Sequence, residues 1–448
     1  MAELFSKKDN EFIAWYPNAL SGDAAAGVWE PREAGYYVHI PFCTAICDYC
    51  GFAVERAKGA STEGYLHALA LEIERYAHSG RLANHRFVCG HFGGGTPSVL
   101  AADDLLSIKR LIDTRFAVNA DAEVTVEVNP ISFSLDKALA YRDAGVNRIS
   151  FGAQSFCDET LKTIGRPNRA RDVEETVKAI HDAGWDNYSL DIIYGVPGQT
   201  PNKVQADLAR AADTGATHIS CFRLDIIPFT ALKLREAAGL LPQRVEEGAL
   251  NEMDDLVTTT LTGLGYREYG AFNFARPGYE SVHNRVAFIA PQGEYIGFGN
   301  SSYSFINNHV YCNFADLPSY EGAVAAGRDP IAFAKEVNGL EAMSRYFVLG
   351  VKFFRVPRQP FISRFGQDPE HVFGEVLRRL IAAEMLARDG DDYVLTRRGR
   401  HYVNNVCKEF YVGANKGKRQ HMQFVPTLTP DQILRYAAIQ AHNRSTVG

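Results

Sequence analysis

Three cysteines, Cys43, Cys47 and Cys50, fall within a single short segment, while Cys89, Cys157, Cys221, Cys312 and Cys407 are scattered singly. Isolated cysteines are usually small buried hydrophobes, so the scattered five need no special account. Eight cysteines in 448 residues are too few for a disulfide scaffold. The cluster is a set of soft thiolate donors, suited to zinc or to an iron–sulfur centre. Zinc would want a fourth ligand, which His39, Cys89 or His91 could supply. A [4Fe–4S] cluster held by three thiolates keeps one iron free of protein ligands and open to a bound molecule. Spacing alone leaves both readings standing.

Such a site needs a rigid frame, and the surrounding sequence supplies a repeating one. Short β-branched or aromatic runs occur at 37–40, 87–92, 123–128, 147–152, 189–194 and 218–224. Amphipathic segments such as GYLHALALEIERYAH and NKVQADLARAADTG separate them, and several end in glycine, as at Gly145 and Gly184. Alternating β and α units predict a parallel sheet with right-handed crossovers. Six units are too few for a closed eightfold barrel, so an open, partial (β/α)6 barrel is expected. Chemistry in such sheets sits at the carboxyl ends of the strands. Gly93–Thr96, Glu127, Gln154 and Asp191 lie at or near those ends.

After residue 230 the pattern changes. Residues 1–35 read as an N-terminal extension, 36–230 as the barrel core, 231–330 as a covering region, and 331–448 as a C-terminal helical, winged-helix-like domain. The last is expected to pack against the barrel rather than bind DNA. The charge sum of 47 basic and 53 acidic residues is −6, which offers no field for nucleic acid or an anionic membrane. No apolar run approaches the ~18 residues of a membrane span, and the N-terminus lacks the apolar core of a signal peptide. A cytoplasmic monomer is expected.

The stretch YYVHIPFCTAICDYCGF resembles the radical S-adenosylmethionine superfamily. Together with FGGGTPSVL, EVTVEVNP, RISFGAQSF, DIIYGVPGQT and GFGNSSYSF it is similar to the family of oxygen-independent coproporphyrinogen III oxidases. That family includes a haem chaperone, haem-degrading enzymes and class C radical methyltransferases. The resemblance runs from about residue 36 to 310, and more weakly to Phe410. It implies that Cys43, Cys47 and Cys50 hold a [4Fe–4S] cluster whose open iron binds S-adenosylmethionine. Reductive C–S cleavage would then yield a 5′-deoxyadenosyl radical, with electrons from a donor such as flavodoxin or ferredoxin.

By the same resemblance Tyr37 contacts the first S-adenosylmethionine and Tyr49 lies near its adenine. Gly94, Gly95 and Thr96 let the backbone approach the methionine moiety, and Glu127 pairs with ribose hydroxyls or the ammonium. Gln154, Arg166 and Asp191 match a second S-adenosylmethionine site, where Arg166 would grip a carboxylate bidentately. Gly297, Gly299 and Ser301 suggest a further glycine-lined wall. Two S-adenosylmethionine molecules point to C-methylation or cyclopropanation of an sp² carbon in a planar or unsaturated small molecule. The oxidase has a fourth cysteine two residues past the third, where this chain has Gly51-Phe52. That departure disfavours oxidative decarboxylation of coproporphyrinogen. A haem chaperone is the alternative outside catalysis, with His283 as a conceivable haem ligand; the WYPNAL segment instead resembles the enzyme branch.

Overall fold

The computed structural model describes residues 13, 16–17, 32–57, 62–228, 230–288 and 293–416. Most of the N-terminal extension, including part of WYPNAL, and the tail beyond Lys416 lie outside the described residues.

Strand β1 (Glu33–Ile40) leads into a short parallel pair, β2 (Phe42–Cys43) and β3 (Glu55–Arg56), which brackets the cysteine loop. Then come β4 (Arg86–Gly94), β5 (Ala117–Val128), β6 (Arg148–Gln154), β7 (Tyr188–Tyr194) and β8 (His218–Arg223). Strands β1 and β4–β8 lie side by side in chain order, all parallel, joined by helices that include Thr62–Ser79, Ala102–Arg115, Leu135–Asp143, Ala170–Asp182 and Pro201–Asp213. This is the partial barrel that six βα units predict. Gly145 and Gly184 follow two of the helices with φ of 80° and 74°, the left-handed geometry that ends a helix without steric cost.

Further strands extend both margins. β9 (Arg267–Gly270) and β10 (Asn273–Ala275) continue the sheet past β8. β11 (Tyr295–Phe298), β12 (Tyr303–Ile306), β13 (His309–Asn313) and β14 (Ile331–Glu336) continue it past β1, giving twelve strands. Of these added strands β11 lies parallel to β1, and the others are antiparallel to their neighbours. The sheet therefore runs to Glu336, a few residues into the span assigned from sequence to the C-terminal domain. Beyond it, β15 (Arg355–Val356), β16 (Leu386–Asp389) and β17 (Asp392–Leu395) form a small antiparallel sheet with helices Arg358–Phe365, Pro369–Ala382 and Val403–Glu409 around it. Ile13 and Tyr16 are buried in the core of this winged-helix-like module, so part of the N-terminal extension belongs to it.

The barrel's side chains divide sharply by face. Successive residues of a strand point to opposite sides. Val124, Val126, Ile149, Phe151, Leu190, Ile192 and Ile219 pack outward into the main core with the helices. The alternate positions are polar, and register aligns them in rows: Tyr37–His91–Thr125–Arg148, then Glu127–Ser150–Ser189–His218, then Gly152–Asp191–Ser220. A polar lumen replaces the apolar filling of a closed barrel. Among the described residues, no helix is long and apolar enough to cross a membrane.

Candidate active site at the barrel rim

One cavity of ≈ 1170 Å³ is lined by the three cysteines and by Tyr37, Tyr49, Gly94, Gly95, Thr96, Glu127, Gln154, Arg166 and Asp191, while Gly297 and Gly299 are not on its wall. It also descends into the lumen as far as Arg148 and His218.

The cysteine loop is fixed by backbone bonds at several points. Ala57 N donates to Cys43 O (2.9 Å), Cys50 N to Cys47 O (3.1 Å), and Thr96 N to Phe42 O (2.8 Å). Each sulfur has a polar neighbour: Cys43 Sγ lies 3.4 Å from Thr96 Oγ1, Arg166 Nη1 donates to Cys47 Sγ at 3.1 Å, and the Phe52 backbone N–H hydrogen-bonds Cys50. Burial pushes the Cys43 thiol up to about 11 and that of Cys50 up to about 12. A ligated cation or cluster reverses that preference by binding the thiolate. The donor set fits an iron–sulfur cluster: three thiols on the wall of a roomy cavity, each beside a group able to hydrogen-bond a thiolate.

The zinc alternative fares worse. The ring nitrogens of His39 already meet Tyr37 Oη (3.1 Å) and Ala53 O (3.2 Å), and burial lowers its pKa to about 4. His91 Nε2 is 2.8 Å from Glu127 Oε1, and Cys89 is buried within β4. Among the described residues, no three His, Cys, Asp or Glu side chains are grouped to hold a single metal ion.

The glycine turn ends β4 beside this loop. Gly94 has φ of 109°, and a Cβ there would lie 2.5 Å from the His39 ring. At Gly95 a Cβ would meet Phe42 O at 2.8 Å and Ile40 O at 2.9 Å. The sequence reading had glycine clear space for a ligand. Gly95 also lines the cavity, and the carbonyls that fill the place of its missing side chain let β4 close against the cysteine loop. Gly299 is similar: a Cβ would lie 2.3 Å from Tyr65 Oη, and its N–H donates to buried Glu72 at 2.7 Å. Close packing explains that glycine without a ligand, whereas Ser301 does line the cavity.

Across the rim, Gln154 follows a bulge in β6 with φ of 66°, an uncommon backbone for a residue with a side chain. A Cβ at Gly152 would lie 2.0 Å from Gln154 Nε2 and 3.2 Å from Arg166 Nη2, so Gly152 makes room for both. Arg166 donates through Nη2 to Gly152 O at 2.6 Å. Its two terminal nitrogens thus rest on Cys47 and Gly152, not in the free bidentate fork expected from sequence. Burial, and then the nearby Glu127 charge, push the Asp191 carboxyl up to about 7. Tyr49 packs against Ile164, Ile193 and Val196 below Arg166.

The lumen was largely missed. Arg148 Nη1 reaches Asn187 Oδ1 (3.0 Å) and Tyr279 O (3.1 Å), while Glu123 Oε1 accepts from Val282 N at 2.9 Å. These bonds seat segment 279–284 so that His283 stacks on His91 with ring centroids 4.7 Å apart. Buried Thr125 Oγ1, Arg148 Nη2, His218 Nδ1 and His283 Nδ1 have no protein partner. Period-two polar positions in RISFG, SLDII and HISCF carry this signal in the sequence.

Residues 37–211 match the family model of the Radical SAM superfamily. The heme chaperone HemW of Bacillus subtilis (strain 168) is 31% identical over 379 residues, 84% of this chain and 98% of that protein. The chain belongs to the radical SAM superfamily and to its family of HemW and coproporphyrinogen oxidase relatives. HemW of Escherichia coli (strain K12) is 30% identical over 385 residues, covering 84% of this chain and 97% of its own. The solved structure of coproporphyrinogen III oxidase (HemN) from Escherichia coli, a radical SAM enzyme, is similar with a TM-score of 0.76 at 26% identity, covering 85% of this chain and 90% of that one. As a radical SAM protein the chain takes a [4Fe–4S] cluster and S-adenosylmethionine. The methyltransferase branch favoured from sequence is not supported: these relatives are named as haem chaperones and an oxidase.

Proposed function

We propose that this chain is a tetrapyrrole-binding radical SAM protein that holds haem in or beside the lumen cavity and keeps a working S-adenosylmethionine site above it. Near-full-length similarity to haem chaperones suggests the ligand. The observation that carries the reading is a single cavity joining the three thiols to buried lumen atoms that lack partners. Unsatisfied buried polar groups are costly, so such a lumen suits a bound molecule with several hydrogen-bonding groups.

In this reading Cys43, Cys47 and Cys50 hold the cluster. Tyr37, Gly94, Thr96 and Glu127 border the first S-adenosylmethionine, with Gly95 seating the turn and Tyr49 near the adenine. Gln154, Arg166 and Asp191 border a second S-adenosylmethionine or the ligand itself. When bound, the cluster and S-adenosylmethionine supply one-electron reductive cleavage of a C–S bond, with flavodoxin or ferredoxin as the class of donor. The chain orients the reactants through its glycine turn and Glu127, and the segment carrying His283 closes the lumen. The C-terminal module packs against the barrel, and its Lys352 reaches the wall of the cavity.

Anaerobic titration of the cluster-loaded chain with haem tests the proposal. Saturation near one haem per chain, weakened by His283→Ala, is expected; no binding at micromolar haem overturns it. A second reading, oxidative decarboxylation, draws on the similarity to the oxidase structure. Carbon dioxide released from coproporphyrinogen III during single turnover would favour it, and Gly51-Phe52 in place of the further cysteine argues against it.

A further inference from the structure

The turn after the helix Asp158–Thr163 is fastened to the cysteine loop at two adjacent residues. Asp48 N donates to Ile164 O at 3.2 Å. Arg235 Nη1 bridges the two segments, donating to Asp48 Oδ2 at 2.7 Å and to Thr163 O at 3.0 Å. Gly165 has φ of 66°, and a Cβ on it would lie 2.2 Å from the Asp48 carboxyl carbon, so only glycine lets the turn press this close. Arg166 comes next in the chain. Its guanidinium donates to Cys47 Sγ at 3.1 Å and to Gly152 O at 2.6 Å. Because the residues on either side of this contact are clamped together, Arg166 is built to stay with Cys47.

From this we infer that Arg166 sets the reduction potential of the cluster, by donating a charged hydrogen bond to the Cys47 sulfur. Hydrogen bonds to cluster sulfurs and local charge are the protein's main means of tuning such centres. A cation stabilises the form that has gained an electron, so Arg166 raises the potential. Screening is weak at this contact, because guanidinium and sulfur touch directly at 3.1 Å with no solvent between them. Asp191 faces the same cation and partly offsets it, and the Glu127 charge acts on Cys43 in the opposite sense to Arg166. Asp48 and Arg235 act through the clamp as positioning residues. This role concerns the electron step alone and does not depend on which tetrapyrrole the chain binds.

The test is an anaerobic redox titration of the full chain, reconstituted with iron and sulfide, followed by electron paramagnetic resonance of the reduced cluster. Neither S-adenosylmethionine nor haem is present, so failure of the proposed function leaves this measurement intact. Arg166→Gln is expected to lower the reduced-to-oxidised ratio at fixed potential about tenfold, which is 59 mV for a one-electron couple. Arg166→Lys keeps the charge without the planar fork and should fall between the two. Asp48→Asn should shift the potential in the same direction by a smaller amount. An unchanged midpoint in Arg166→Gln with full iron content overturns the inference. Loss of the cluster from both Arg166 variants, with circular dichroism unchanged, also overturns it, since Arg166 would then be only a scaffold for the loop.

Discussion

The barrel lumen and the C-terminal module are both buried, and they are filled in opposite ways. In the module Phe347 stacks on Phe410 at 4.6 Å and meets Phe373 at 5.1 Å, Phe361 at 5.6 Å and Tyr393 at 5.8 Å. Aromatic contacts of this kind add to the area they bury and leave no polar group short of a partner. In the lumen the inward rows hold His, Ser, Thr, Arg and Asp, and several of their atoms lack partners within the protein. Burial alone therefore does not mark a core. The module is arranged for stability, whereas the lumen gives up stability to keep donors and acceptors ready for a ligand.

The sharpest separation of the two comes from the cysteines. Replacing Cys43, Cys47 or Cys50 by Ala should abolish cluster formation, with loss of the visible charge-transfer band and of about four irons per chain. Thermal unfolding of the module should be unchanged. Stoichiometric zinc in the wild-type chain would sink this. Next in size is the reverse experiment: Phe347→Ala should destabilise by about 3–5 kcal/mol in urea unfolding. Variant protein that remains folded should still load a full cluster; a lost cluster would mean that the two regions are not independent.

Intermediate effects are expected at the rim, where packing and polarity meet. Gly95→Val forces a branched side chain against the Ile40 and Phe42 carbonyls, and overpacking of this kind costs about 1–3 kcal/mol. Iron loss to a chelator should quicken by roughly ten- to a hundredfold. Asp191 gives a pH signature. Its folded pKa of about 7 exceeds the unfolded value, so ionisation opposes folding. That penalty is absent below the unfolded pKa, grows up to about pH 7 and is constant above it. Asp191→Asn should therefore stabilise the ligand-free chain at pH 8 relative to pH 5, by ~2–3 kcal/mol in urea unfolding. Equal effects at both pH values would show that the carboxyl is solvated like a surface group.

Sequence reading recovered the wall of the barrel well and its interior poorly. The six strand runs were legible because β-branched residues alternate with helices of clear period. The rim residues were legible because glycine turns and strand-end carboxylates have few other uses. The lumen was not, since Thr125, Arg148 and His218 look like ordinary members of apolar strands until register sets them in rows. A sequence does not report the groups a glycine must approach, so the closeness of Gly95 to the Ile40 and Phe42 carbonyls, and of Gly299 to Tyr65, is visible only in the structure. The union of Ile13 and Tyr16 with the module joins segments more than 300 residues apart, which no local pattern reports.

The smallest effect is expected at the seam between the two regions. Ala271 is buried there in the module's own core, and polar pairs flank it: Arg397 meets Asp255 at 3.0 Å, His401 Nδ1 meets Asp254 at 3.2 Å, and Arg400 meets Glu268 at 2.5 Å while covering the Phe354 ring. Glu268 is the buried member. Burial pushes its carboxyl up to about 7, against the pull of Arg400. Its ionisation thus opposes folding between the unfolded pKa and about pH 7, and the loss is complete above that range. Removing Arg400 raises the folded pKa further, so the variant keeps losing stability at a pH where wild type has levelled off. Arg400 is 39% exposed, and solvent screens much of its attraction. Arg400→Ala should therefore lose about 1 kcal/mol at pH 8 and roughly half of that at pH 6. In a Glu268→Gln background the same substitution should lose only its packing on Phe354, with no dependence on pH. A pH-independent loss in both backgrounds would mean that ring contact rather than charge holds Arg400 at the seam.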